Sequence, residues 1–183
     1  MVDEQDTMLD NLAAALSVVD QDRLSLIVTG DIPLITPDVI EKFLVQCQPY
    51  DQDLYYPVLT RESCLQRFPQ TERTYVRLKE GFLTGGNVLI INPHWFLKNR
   101  SRLELFISYR KKPLKLLRIL PPLFIIKYLM KTLSVRDLEK FLSKIFQLKA
   151  KAVFTDQVEI GVDVDKPGDL ELIRETVAET VTK

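Results

Sequence analysis

The chain of 183 residues is predicted to fold as an α/β layer structure with a mainly parallel sheet. Two observations carry that reading. Short apolar runs bounded by Gly, Pro or Asn alternate along the chain with segments of helical periodicity, the pattern of strands linked through helices. The composition, 46% hydrophobic and 27% charged, suits one domain with a packed core and excludes disordered and collagen-like classes. No internal repeat or low-complexity linker divides the sequence, so residues 1–183 are taken as one domain, with residues 98–150 as a basic helical subdomain within it.

The elements follow in order. Leu9, Leu12, Leu16 and Val19 recur at helical spacing and predict a helix over 9–19. Residues 24–29 are an apolar run closed by Gly30, a buried strand leading into a turn. Thr36-Pro37-Asp38 supplies a hydroxyl cap, a first-turn proline and an early acid, which predicts a helix over 37–47. Strands are expected at 54–59 and, after the Gly85-Gly86 turn, at 88–91, where Asn92-Pro93 punctuates the end. Helices are expected over 102–109, parts of 113–132 and 135–147, a strand over 151–154 and a closing helix over 167–177.

Charge and cysteine content narrow the function. Lys plus Arg and Asp plus Glu both number 25, and a formal net charge of zero argues against a nucleic-acid binder. The balance is uneven, because residues 98–151 hold 15 basic and three acidic residues, a local net of +12. Cys47 and Cys64 form neither a disulfide framework nor a zinc-binding pattern, and the acidic N-terminus has no signal-peptide character, so a reduced, cytoplasmic setting is expected. The stretch from Pro113 to Met130 is the most apolar, but Lys115, Arg118, Lys127 and Pro121-Pro122 interrupt it, which disfavours a membrane span.

Three short motifs could carry chemistry. Asp31, in Thr29-Gly30-Asp31-Ile32-Pro33, follows an apolar strand, and ligands of open α/β sheets gather outside such strand ends. A carboxylate there is either a solvated turn acid or a ligand for a hard divalent cation. Asp163 and Asp165, in Val162-Asp163-Val164-Asp165-Lys166-Pro167, share one side of an extended segment. Asp165 either caps the following helix or completes a cation site with Asp31. In Thr84-Gly85-Gly86-Asn87, two glycines permit close backbone approach to a ligand, and the Asn amide both donates and accepts; a plain glycine turn is the simpler reading. His94 has no partner in sequence and reads as structural.

Taken together and in this order, TGDIPLIT, TGGN and DVDKPGDLELI resemble the MobA-like nucleotidyltransferases, the molybdenum-cofactor guanylyltransferase type whose superfamily includes the sugar-nucleotide synthetases. The resemblance spans about residues 9–98 and 150–178. It implies a Rossmann-like, glycosyltransferase-A-like fold with helices on both sheet faces. It implies transfer of a nucleoside monophosphate from a nucleoside triphosphate to a phosphorylated acceptor, releasing pyrophosphate, with Mg²⁺ as the cofactor. On that basis Asp31 and Asp165 would be the catalytic metal ligands, with Asp163 as substitute, and Thr84, Gly85, Gly86 and Asn87 would line the acceptor side. The segment from Arg73 to Leu78, leading into that turn, is similar to a subgroup of these proteins, which adds Arg73 as a substrate-binding candidate.

The family's opening strand and glycine-rich triphosphate loop have no counterpart here, since the six glycines stand at 30, 81, 85, 86, 161 and 168. The sequence therefore reads as beginning inside the domain, as a truncated or split enzyme or a descendant without catalysis. A sheet without its first strands leaves an edge, so a second copy or a partner chain is expected to cover it. In the basic block, Arg110, Lys111 and Lys112 precede an apolar, helix-prone run, which places them at the unfavourable amino end of a helix dipole unless an anion meets them. An acceptor phosphate, an anionic membrane surface and a merely solvated face all remain open for that block.

Overall fold

The computed structural model describes residues 2–71, 73–110, 120–164 and 174. Six helices are found among them: α1 (Met8–Ser17), α2 (Pro37–Cys47), α3 (Arg61–Arg67), α4 (Pro93–Arg110), α5 (Pro122–Leu129) and α6 (Val135–Phe146). The strands are β1 (Ser25–Val28), β2 (Leu54–Thr60), β3 (Val76–Leu78), β4 (Gly81–Gly85), β5 (Val88–Ile91) and β6 (Ala150–Phe154). The expected closing helix over 167–177 lies outside the described residues apart from Arg174, which is helical.

The expected starts and stops rest on identifiable caps. Thr36 accepts the Val39 N–H at 3.4 Å with Pro37 in the first turn, so α2 begins where the sequence places it. The Ser134 hydroxyl and the Asp137 carboxylate form a reciprocal capping box that opens α6. The Glu80 carboxylate, on the β3–β4 turn, also accepts the Val135 N–H at 3.1 Å. Helix α4 starts nine residues before the expected 102, because Asn92-Pro93 opens a helix as well as ending a strand: Asn92 Oδ1 accepts the Trp95 N–H at 3.1 Å.

The sheet is mostly antiparallel, which corrects the mainly parallel expectation. Its order is β1-β5-β2-β4-β3, with β6 on the other edge of β2, and only the β2–β6 pair is parallel among the described residues. Strands β1, β2 and β6 do run in one direction, as helix-linked strands should. The chain then returns through β4 and β5, and β5 inserts between β1 and β2 in the opposite sense. A strand buried on both faces reads as a continuous apolar run in either direction, so its sense is invisible to periodicity.

Helices cover both faces, as expected. Side chains alternate along each strand, so Val88 and Ile90 of β5 join Tyr55 and Val153 against Val39, Phe43 and Cys47 of α2. On the opposite face Leu89 and Ile91 meet Leu9, Ala13 and Leu16 of α1, Trp95 and Phe96 of α4, and Phe146 at the end of α6. Trp95 is locked there by an indole hydrogen bond to the Phe146 carbonyl at 3.0 Å. Burial pushes the Cys47 thiol up to about 11, so it behaves as an apolar core residue.

Phe43 is fully buried, so Phe43→Ala is expected to cost about 3–5 kcal/mol in chemical denaturation. The Asp137 carboxyl is held well below its ordinary value, first by the Lys127 ammonium at 2.8 Å and then by the Ser134 N–H and hydroxyl. A depressed carboxyl stabilises the fold above the unfolded value of about 3.9 and loses that contribution as the pH falls below it. Asp137→Asn should therefore lower the melting temperature at neutral pH, with a difference from the parent that shrinks on acidification below about pH 4.

Candidate functional site

The first motif leaves β1 at its carboxyl end. Ile32, almost fully buried beneath α2, anchors the turn, and the Ile35 N–H returns to the Ile32 carbonyl at 3.2 Å. This fixes the backbone of Asp31 while its side chain stays exposed, without a hydrogen-bond or ionic partner among the described residues.

Backbone hydrogen bonds bring the other two motifs to the same place. The Thr29 N–H donates to the Asn87 carbonyl at 3.1 Å, and the Asn87 N–H donates to the Ile160 carbonyl at 2.9 Å. From Ile160 the chain leaves a short 3-10 turn and runs back towards β1, where the Val164 N–H donates to the Asp31 carbonyl at 3.0 Å. Residues 29–31, 86–87 and 160–164 thus form one continuous patch at the carboxyl end of β1. Asp165 lies outside the described residues, one peptide beyond the contact between Val164 and Asp31.

The two glycines have structural duties. A Cβ on Gly85 would sit 2.0 Å from the Tyr56 hydroxyl oxygen, and one on Gly86 would sit 2.6 Å from the Ile160 methyl and 3.0 Å from Pro57. The Gly86 N–H is already bonded to the Pro57 carbonyl at 3.2 Å. The backbone closeness expected for a ligand is therefore used by the protein itself at Gly86 and Asn87. Thr84 lies in β4 opposite Leu59. The Asn87 side chain, half-buried beside the patch, has no hydrogen-bond partner among the described residues.

Arg73 enters the site by a route the sequence did not signal. Its guanidinium lies across Gly161, where a Cβ would fall 2.5 Å from one terminal nitrogen and 3.1 Å from the other. It reaches Asp163 at 3.8 Å, with the Arg73 side chain 9% exposed and that of Asp163 37%. Asp163 is thus engaged by a cation, whereas Asp31 has none among the described residues. Gly161 belongs to none of the motifs; a glycine between Ile160 and Val162, both core residues, was the available signal. Beside Arg73, the Tyr75 hydroxyl is buried against Cys64, and burial with that thiol next to it pushes the phenol up to about 12.

The basic cluster is placed differently from the expectation. Arg110 is the last residue of α4, the carboxyl end of a helix, where the dipole favours a cation. The expected conflict with the dipole is absent there, because α4 starts early and runs to 110. Lys111 and Lys112 lie outside the described residues.

The donor chemistry at the patch is hard oxygen, which suits Mg²⁺ better than softer metals. Among the described residues no group of three or more His, Cys, Asp or Glu side chains converges as a metal centre. Of the two expected partners of Asp31, Asp163 is paired to Arg73 and Asp165 lies outside the described residues.

No protein-family model and no curated protein matches the chain. Among solved structures it is similar to a hypothetical transferase from Thermus thermophilus, at 36% identity and a TM-score of 0.82. The match covers 91% of this chain and 71% of that one. The chain belongs to the family of that transferase. The likeness supports a transferase-like fold for this chain.

The seat of Arg73 on Gly161 gives a direct test. Gly161→Ala is expected to cost about 1–3 kcal/mol in chemical denaturation, because the added methyl meets both the guanidinium and Leu59 Cδ1. Gly30→Ala, where a Cβ meets nothing within 4 Å, is the matched control and should leave that stability nearly unchanged.

Proposed function

We propose that this transferase-family chain is a nucleotidyltransferase domain, moving a nucleoside monophosphate from a nucleoside triphosphate to a phosphorylated acceptor. The observation that supports it best is the pair of contacts, Val164 N–H to Asp31 carbonyl and Asn87 N–H to Ile160 carbonyl, that gathers three sequence-distant motifs at one strand end. In the reaction an acceptor phosphate oxygen attacks the α-phosphorus. The new phosphorus–oxygen bond forms as the bond to the bridging α–β oxygen breaks, and pyrophosphate departs with that oxygen. Little covalent work falls to the protein; it must position two polyanions and offset their charge.

Asp31 and Asp165 are the residues that would hold Mg²⁺, which when bound supplies charge neutralisation at the phosphate oxygens. Asp163 is assigned a supporting part, compensating Arg73 and so fixing the 160–164 segment next to Asp31. Asn87, with both backbone groups engaged, presents only its side-chain amide towards an acceptor. Arg110, Lys111 and Lys112 supply the counter-charge for a phosphorylated acceptor in this reading, and nothing in the sequence selects one nucleobase over another.

A second reading, a module that works with another chain, is favoured by β1. Its outer edge has no strand partner among the described residues, and Leu26 and Val28 are exposed along it. A neighbouring strand from a second copy or a partner would cover that edge.

The nucleotidyltransferase reading is tested by titrating GTP, CTP, ATP and UTP with Mg²⁺ into the parent chain and Asp31→Asn. With no counterpart of the family's triphosphate loop in this sequence, nucleotide binding is expected to be weak, magnesium-dependent and carried by the contact at Asp31. It should fall at least about tenfold further in the variant, the scale of one lost charge-assisted contact. With an acceptor in hand, Asp31→Asn and Asp165→Asn should each slow pyrophosphate release by about 10²–10³-fold. Equal nucleotide binding by parent and Asp31→Asn would overturn the assignment.

A further inference from the structure

Helix α5 is the most apolar helix of the described residues and contains no buried residue. Two side chains tie it to α6: Phe124 packs on Phe141 with ring centroids 4.9 Å apart, and Lys127 pairs with Asp137 at 2.8 Å. Helical geometry sets Leu123, Ile126 and Leu129, with Met130 at the carboxyl cap, along one arc of the helix that starts beside Lys127 and runs away from Phe124. They are 60%, 51%, 73% and 67% exposed, respectively. Four large aliphatic side chains on one helix face form a contiguous patch rather than scattered surface hydrophobics.

The surroundings of the patch are cationic. Arg136, Lys140 and Lys144 recur every four residues on the exposed face of α6, and none has an acidic partner among the described residues. The acids of the helix are turned elsewhere: Asp137 is held by Ser134 and Lys127, and Glu139 accepts the Ala152 N–H at 2.7 Å. Lys140 and Lys144 each stand three residues beyond a residue that touches α5, Asp137 and Phe141, so the cationic column adjoins the α5 contact. Lys131, exposed just after α5, adds a further charge.

We infer that α5 and α6 form a docking surface for an anionic lipid bilayer, with Leu123, Ile126, Leu129 and Met130 entering the interface and Lys131, Arg136, Lys140 and Lys144 meeting headgroup phosphates. Charge complementarity selects this occupant. Residues 98–151 carry a net +12, and the centre of a protein–protein interface is depleted of charge, whereas an interfacial helix combines an apolar face with Lys and Arg. No helix of the described residues is long and apolar enough to cross a membrane, so contact is confined to the surface. The inference is independent of the nucleotide chemistry, and its test needs no nucleotide.

The test is sedimentation of the full chain with vesicles of phosphatidylcholine alone and of phosphatidylcholine mixed with phosphatidylglycerol, at low and high ionic strength. Association with the mixed vesicles only, weakened by salt, is expected. Replacing Lys131, Arg136, Lys140 and Lys144 together with Gln should weaken it by more than about a hundredfold, each charge near an anionic surface being worth about fivefold. Leu123→Ser with Ile126→Ser and Leu129→Ser should abolish binding while leaving the melting temperature unchanged. Should that triple variant lose its thermal transition, the glutamine variant, which alters only exposed cations, decides alone. Indifference of the parent chain to both vesicles overturns the inference. So does light scattering that shows a dimer which the serine variant converts to monomer, because a second copy then covers the face.

Discussion

The constraint on which the rest depends is a mismatch in strand length between β2 and the chain that returns beside it. Leu54 and Tyr55 pair with Ile91 and Ile90, while Val58 pairs with Gly85. Between those pairings β2 spends residues 56 and 57, and the returning chain spends residues 86–89. The two surplus residues interrupt the ladder and separate β4 from β5. The consequences of this interruption reach both ends of the fold. Beyond it β5 moves between β1 and β2 and becomes buried on both faces. At it, Asn87 turns its backbone outward to Thr29 on one side and Ile160 on the other. The core and the candidate site share one cause.

That cause also explains what the sequence made legible. Caps and periodicity are local, so α2 was placed by Thr36-Pro37, and α6 starts at the expected Val135. The apolar run of β5 was equally plain. Its direction was not, because an all-apolar strand carries no directional mark and an interruption of two residues has no composition of its own. The β3–β4 hairpin was passed over for a related reason. Its turn, Lys79-Glu80-Gly81, ends on a glycine at φ 126°, and its flanking strands are short and half-exposed, with little alternation to detect. Helix α3 follows β2 without a break, capped by Thr60 on the Ser63 N–H, and its seven residues are too few to show helical periodicity.

The candidate site was legible in its residue types and opaque in its divisions of labour. A strand-end acid and a later pair of acids were read from spacing, and the fold does bring their segments together through Val164 and Asp31. The glycines were read as a plain turn or as room for a ligand; in the fold Gly85 makes room for the Tyr56 phenol and Gly86 for Ile160. Such contacts join residues remote in sequence and leave no periodic trace. The meeting of Arg73 with Gly161 is of the same kind.

Arg73 also bears on the part that Asp163 can play. A guanidinium that is nine-tenths buried needs a nearby anion, and breaking such a pair by removing one partner is expensive, on the order of 3–5 kcal/mol where both ions are fully buried and less here, since Asp163 is partly exposed. Were Asp163 drawn to a metal, Arg73 would be left with its charge beneath Leu59 and Gly161 and no compensating carboxylate among the described residues. Asp163 is therefore better suited to holding Arg73 than to serving as a metal ligand. Asp31 has no such obligation: it is exposed, anchored through Ile32 and joined to Val164 by backbone alone. A buried arginine thus sets the two acids of the described patch apart, one committed to an ion pair and one exposed.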